Sequence, residues 1–173
     1  MSTLEVNNIT PQSGTTLTLG GSGDTINLGS GVTASGFGKV LQVVNATDST
    51  QRATTSSSFV TASNTLLVSI TPSSASNKIF VICNSTFGSN TVNAIAQATI
   101  FRDAINLGSA DGMMASFSDT GSIRGQGSMS VLDSPNTTSA ITYQAYFRQL
   151  SGGQNDINWY ATEGSITAFE IEG

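Results

Sequence analysis

The stretch Ile141-Thr142-Tyr143-Gln144-Ala145-Tyr146-Phe147-Arg148-Gln149 alternates in phase along its whole length. Ile141, Tyr143, Ala145 and Phe147 fall on one side, and Thr142, Gln144, Tyr146 and Arg148 on the other. A period of two over nine residues is that of a β-strand with one face on a core. Upstream, Ile123, Met129 and Val131 alternate in the same way against Arg124, Gln126, Ser128 and Ser130. Downstream, residues 166–171 close the chain with Phe169 and Ile171 on one face. Residues 94–102 read as a further strand, although Ala94, Ala96 and Ala98 also permit a helix. Turn-forming Pro, Gly, Asp and Asn residues cluster at 72–76, 103–104, 133–139 and 151–156. Eight to ten strands at this spacing predict an all-β fold, a jelly-roll-like antiparallel β-sandwich over residues 39–173.

Composition supports that reading. The chain has 173 residues, with 26 Ser, 23 Thr, 13 Asn and 18 Gly, but only six Lys and Arg and eleven Asp and Glu. Helices keep their outward faces wet with Lys and Glu, which are scarce here. Hydroxyls and amides suit strands and turns and compete with helical backbone bonds. The net charge of −5 leaves no basic stripe, so phosphate-driven nucleic-acid binding is not expected. With no His, imidazole triads and His-ligated metal sites are excluded, and Cys83, the single cysteine, forms no internal disulfide. Met1-Ser2-Thr3-Leu4-Glu5 carries no basic residue and no apolar run follows, so neither a signal peptide nor membrane insertion is expected.

Two strands have no polar face. Val40-Leu41-Gln42-Val43-Val44 and Ile79-Phe80-Val81-Ile82-Cys83 are apolar on both sides. A sandwich strand in a monomer keeps one face in water, and exposing such a row forfeits several kcal/mol at about 25 cal/mol per Å². A subunit interface that includes Val40, Val44, Phe80 and Ile82 relieves this; cover by the N-terminal segment is the competing explanation. That segment, residues 1–38, has a different texture. Thr16-Leu17-Thr18-Leu19-Gly20 recurs as Thr25-Ile26-Asn27-Leu28-Gly29. Two such strands bury too little to stand alone. The pattern of Leu17, Leu19, Ile26 and Leu28 therefore predicts an arm or intertwined shaft, against the alternative of a flexible Gly/Ser linker.

Several ordered stretches resemble a domain of tailed phages that infect marine bacteria. They are Lys39-Val40-Leu41-Gln42-Val43-Val44, Thr54-Thr55-Ser56-Ser57-Ser58-Phe59-Val60, and Leu67 through Ile79 with its Thr71-Pro72-Ser73-Ser74-Ala75-Ser76-Asn77-Lys78 turn. Leu132-Asp133-Ser134-Pro135-Asn136-Thr137-Thr138-Ser139, Tyr143, Ser165 through Ile171 and the opening Thr3-Leu4-Glu5-Val6-Asn7-Asn8-Ile9 are similar as well. The proteins concerned are tail fibres and virion structural proteins. The resemblance implies a non-enzymatic virion component without cofactors, usually a homotrimer, assembled in the host cytoplasm and carried on the particle surface. Its partners would be its own copies, other virion proteins of the tail, neck or capsid, and a host cell-surface glycan. The chain lacks the long baseplate-anchoring region of large fibres. That departure leaves the position on the particle open; the primary expectation is a short tail fibre or appendage, with a capsid decoration or cement protein and a carbohydrate-binding module as alternatives.

Candidate chemistry is sparse. Gly20-Gly21-Ser22-Gly23-Asp24 falls one spacer short of a calcium-binding nonapeptide. Asp103, Asp111 and Asp119 stand in turn-like contexts, and Asp156, Glu163, Glu170 and Glu172 form no evident catalytic pair, with Glu170 and Glu172 expected to be solvated. Four Asn-x-Ser/Thr triplets are what this composition yields by chance. Trp159-Tyr160, an adjacent aromatic pair, reads as core packing or as a receptor contact that stacks on sugar. The polar stretches 111–121 and 151–156 read as recognition loops.

Overall fold

In the computed structural model the chain divides into two units, Met1–Phe37 and Gly38–Gly173. The structure describes residues 9–10, 13–15, 21, 23 and 40–173. The repeat strands of the expected arm, with Leu17, Leu19, Ile26 and Leu28, lie outside the described residues.

The second unit is all-β. Its strands are β1 (Val40–Asp48), β2 (Arg52–Thr54), β3 (Leu67–Ile70), β4 (Lys78–Ser89), β5 (Ala94–Arg102), β6 (Ile105–Asn106), β7 (Met114–Ser118), β8 (Ile123–Asp133), β9 (Ile141–Ser151), β10 (Asn155–Ile157) and β11 (Gly164–Ile171). One 3-10 turn, Trp159–Ala161, separates the last two. Every pairing between these strands is antiparallel.

Short strands combine into longer lanes. β10 and β11 both pair with β4, at Phe87–Ser89 and Lys78–Asn84, so they form one broken lane. β2 and β1 follow that lane on its outer side and break at the same level. On the other edge of β4 runs β8, paired over eleven residues. The second sheet holds β3, β9, β5 and a lane made of β6 and β7. Consecutive lanes lie in opposite sheets, except that β6 follows β5 in the same one. This is the jelly-roll order, with both sheets antiparallel and the core between them.

The alternation that decided the fold also positions the core. Ile141, Tyr143, Ala145 and Phe147 of β9 are buried against Ile79, Val81 and Cys83 of β4, with Ile166 and Ala168 of β11 and Met129 of β8 in the same cluster. β5 is a strand, not a helix, and its Ala94, Ala96 and Ala98 are buried. Small side chains are needed there because two amides cross between the sheets at that level. Asn155 Nδ2 donates to the carbonyls of Gln97 and Arg148 at 3.1 and 2.9 Å. Gln149, opposite Ala96, reaches Ser89 Oγ at 3.4 Å.

Both expected recognition loops are shorter than the sequence implies. The stretch 111–121 contains β7, which pairs with Ala94–Ala98 of β5. In 151–156 the ends are strand, and the turn itself is residues 152–154, with Gly152 and Gly153 at φ 63° and 49°. Asn155 and Asp156 are wholly buried. These polar residues read as loop, but Asn155 is held by carbonyls of the facing sheet and Asp156 by an arginine of its own sheet.

Candidate functional site

Since Ile79, Val81 and Cys83 belong to the core, Phe80 and Ile82 point to the opposite face of their sheet. The same phase turns Phe169 of β11, Leu132 of β8 and Val43 of β1 outward. Register aligns them: Val43 lies opposite Phe169, Phe169 opposite Phe80, and Phe80 opposite Leu132. An unbroken apolar row thus crosses all four lanes, with the Phe80 and Phe169 rings 6.1 Å apart. Val40 and Ile171 flank it as a cross-strand pair. Val40, Val43 and Leu132 are each 53% exposed. Neighbouring outward positions are Asn45, Thr47, Asn84, Thr167, Ser128 and Ser130, and the outward positions of these lanes carry no carboxylate until the broken stretch near Asp156.

Of the interface residues expected from sequence, Val40, Phe80 and Ile82 lie on this outer face. Val44 does not: it packs against the core, and Val43 takes the outward place. A strand apolar on both faces gives no phase of its own. Here a register shift between Val40 and Gln42 puts Val40 and Val43 on the same side.

At the other end of the face the broken lane carries a braced aromatic ledge. Asp156 points outward but is 0% exposed, because Arg124 of β8 reaches across β4 to it. Gly88 is the residue between them in register, so no side chain blocks the crossing. The guanidinium donates to Asp156 Oδ2 through Nε at 2.8 Å and Nη2 at 2.6 Å. Gln154 donates to the other oxygen at 2.9 Å. The Trp159 ring lies over the guanidinium, 3.6 Å from its carbon to the ring centroid. Thr86 Oγ1 accepts from the Trp159 backbone N–H at 2.6 Å. Tyr160 meets Trp159 edge to face at 4.7 Å and is 81% exposed.

The backbone here is unusual. Asn158, Tyr160 and Ala161 all have φ 56°, the left-handed region. Each such residue that is not Gly costs about 1–2 kcal/mol. Asn158 is held by partners, since Ser85 Oγ donates to its Oδ1 at 2.6 Å and its Nδ2 donates to the Thr50 carbonyl. Thus the sequence pair splits: Trp159 is half-buried packing against an arginine, and Tyr160 stands in solvent.

Several other carboxylates are structural. Glu170 is a correction to the sequence reading: it faces inward and is 1% exposed. Asn77 Nδ2 and Gln42 Nε2 each donate to it at 2.6 Å, and Ser73 donates from both its N–H, at 2.6 Å, and its hydroxyl, at 2.8 Å. Burial alone would raise its pKa, but these donors outweigh it and hold the carboxyl at about 2. A depressed folded pKa gives stability that is present above the unfolded value, about 4.3, and is lost as pH falls towards 2. Thermal melts from pH 6 to pH 2 should show Tm falling below about pH 4.5, and Glu170→Gln should remove part of that slope, the buried Asp48 carrying a further share, while lowering stability at pH 7 by about 2 kcal/mol.

Asp133 accepts a forked pair from Arg102, at 2.9 and 2.7 Å, and the hydroxyl of the buried Tyr143 at 2.7 Å. Asp103 sits in a turn at φ 50° and Asp111 accepts from Arg148 at 3.2 Å. Cys83 lies in the core, where burial pushes its thiol up to about 12. Among the described residues no group of three Asp, Glu, Cys or His side chains comes together to hold a metal ion. Of the glycine-rich stretch 20–24, only Gly21 and Gly23 are described.

Comparison with known proteins finds no matching family model and no matching curated protein. Solved structures of the VP2 protein of infectious bursal disease virus are similar in architecture. A mutant VP2 from derived T=1 particles has a TM-score of 0.41 at 13% identity, over 85% of this chain and 40% of that one. The VP2 subviral particle has a TM-score of 0.40 at 12% identity, over 86% of this chain and 43% of that one. The chain thus spans about two fifths of the VP2 chains it matches.

Proposed function

We propose that the chain is a bacteriophage virion structural protein that works by assembly and carries out no catalysis. It would be a short trimeric tail fibre or appendage whose sandwich is a head built by contact between copies. The observation that carries this reading is the row Val43, Phe169, Phe80 and Leu132 across four outward strands. Strand faces of this kind stack on a second sheet about 10 Å away. Its occupant is a further copy of the chain, on grounds of charge. Copies of net charge −5 repel one another, and they meet at least cost through a face whose apolar row is bordered by Asn, Ser and Thr.

The choice of three copies, a bacteriophage particle and a tail position rests on the resemblance of the ordered motifs described above. Residues 1–38 would supply the attachment to other virion proteins. A capsid decoration protein would use the same head and the same self-contact. Native mass spectrometry or light scattering of the full chain at micromolar concentration should give close to three times 17.8 kDa. A stable monomer under those conditions refutes assembly through this face.

A further inference from the structure

We infer that Tyr160, on its Trp159–Arg124 brace, is the stacking platform of a binding site for a neutral saccharide. This rests on the tail-fibre reading proposed above and adds to it the residues and the ligand class of a contact with a host surface. Three observations converge. The ring is 81% exposed, although it sits on a backbone conformation that a tyrosine adopts only under constraint. A connection between β10 and β11 needs no aromatic there, and glycine would fit φ 56° without strain.

The ledge is also fixed before any ligand arrives. Asp156 holds Arg124, Arg124 holds Trp159, and Thr86 binds both the Trp159 N–H, at 2.6 Å, and the Thr162 hydroxyl, at 2.9 Å. An ordered ring loses little freedom on binding, which is what a weak ligand requires.

The surroundings select the ligand. A pyranose presents a flat C–H face to an aromatic ring and hydroxyls to its edges. Ala161, Thr162 and Glu163, which follow in the chain, are all exposed, so the ring stands on a turn that is open to water. Thr162 and Glu163 are polar residues of that turn, the chemistry that suits a hydroxylated ligand. Acidic sugars are disfavoured, because Arg124 is engaged by Asp156 on its edge and Trp159 on its face, and Glu163 lies close in sequence.

The single tryptophan of the chain, Trp159, is the reporter. Its fluorescence would be followed in the full-length protein during titration with neutral glycosides and oligosaccharides of glucose, galactose, mannose and N-acetylglucosamine. At least one should give a saturable change with Kd in the millimolar range or below. Tyr160→Phe should retain that affinity, and Tyr160→Ala should weaken it about tenfold. Tyr160→Gly should bind as weakly as Tyr160→Ala while melting at or above the wild-type temperature, because it relieves the backbone. The inference is overturned by absence of a saturable response across the panel, by unchanged affinity in Tyr160→Ala, or by a marked drop in the Tm of Tyr160→Gly. A changed assembly mass in Tyr160→Ala overturns it too, since the ring would then be a contact between copies. Mass and titration are read on one sample, so failure of assembly and failure of sugar binding are separate results.

Discussion

Gly88→Ala should lower the stability of the head by about 4 kcal/mol and its Tm by roughly 15 °C in a calorimetric scan. Gly88 lies in β4 at φ 154°, between Arg124 of β8 and Asp156 of β10. A Cβ there would collide with the Ile123 carbonyl oxygen and stand 2.7 Å from the Arg124 Cα. Both are backbone atoms of the partner strand, so no rotamer change relieves the contact. β8 would have to leave β4, which opens the ladder at its end and pulls Arg124 away from the buried Asp156. That carboxylate would lose both guanidinium bonds and the cover they give it, a loss added to that of the opened ladder. Gly125→Ala is the control one residue along: a Cβ there meets nothing within 4 Å, and its Tm should change by a degree or two. Equal Tm values for the two variants would refute the close approach.

Phe80→Asp should convert the assembly into folded monomers. The side chain is at the centre of the outward row, beside Phe169 and Leu132, so in an isolated head the new carboxylate faces water and the core is untouched. Between copies the same charge would be buried without a partner, which weakens association by about three orders of magnitude. Ala115→Asp adds the same charge on exposed β7 of the other sheet and should leave the mass unchanged. Sedimentation of the three proteins at equal concentration separates the outcomes. If Phe80→Asp still sediments as the wild type, the row is not where copies meet. If it sediments as a monomer with an unchanged melt, Phe80 contributes to contact between copies and not to the core.

What was legible in the sequence is what period-two patterning controls. β9 and β8 declared their inner faces because one side of each is apolar and the other polar, while the alanines of β5 left helix open beside strand. Less legible were strands whose buried residues are polar. Asn155 and Asp156 read as turn because the groups that satisfy them, the Gln97 and Arg148 carbonyls and the Arg124 guanidinium, come from three other strands. Glu170 read as solvated for the same reason: its donors, Gln42, Ser73 and Asn77, lie far upstream. At the outer face, a run of valines gave no phase, so Val44 and Val43 exchanged places relative to expectation. Trp159 and Tyr160 were visible as a pair, but only the left-handed backbone at Tyr160 divides them into brace and display.

The pairing of Val40 with Ile171 at one end of the β1–β11 ladder has a mechanical consequence. Tension applied through the chain on either side of the head, before residue 40 and after residue 171, would peel these two strands apart like a zipper, one pair of bonds at a time. Tension between residue 40 and the turn at 152–154 would instead act along the strands, in shear. The registered pairs from Val40–Ile171 to Asp48–Gly164 then share the load, because their hydrogen bonds lie across the direction of pull. The fold is therefore anisotropic as a material, soft to opening at its ends and stiff to traction along its length.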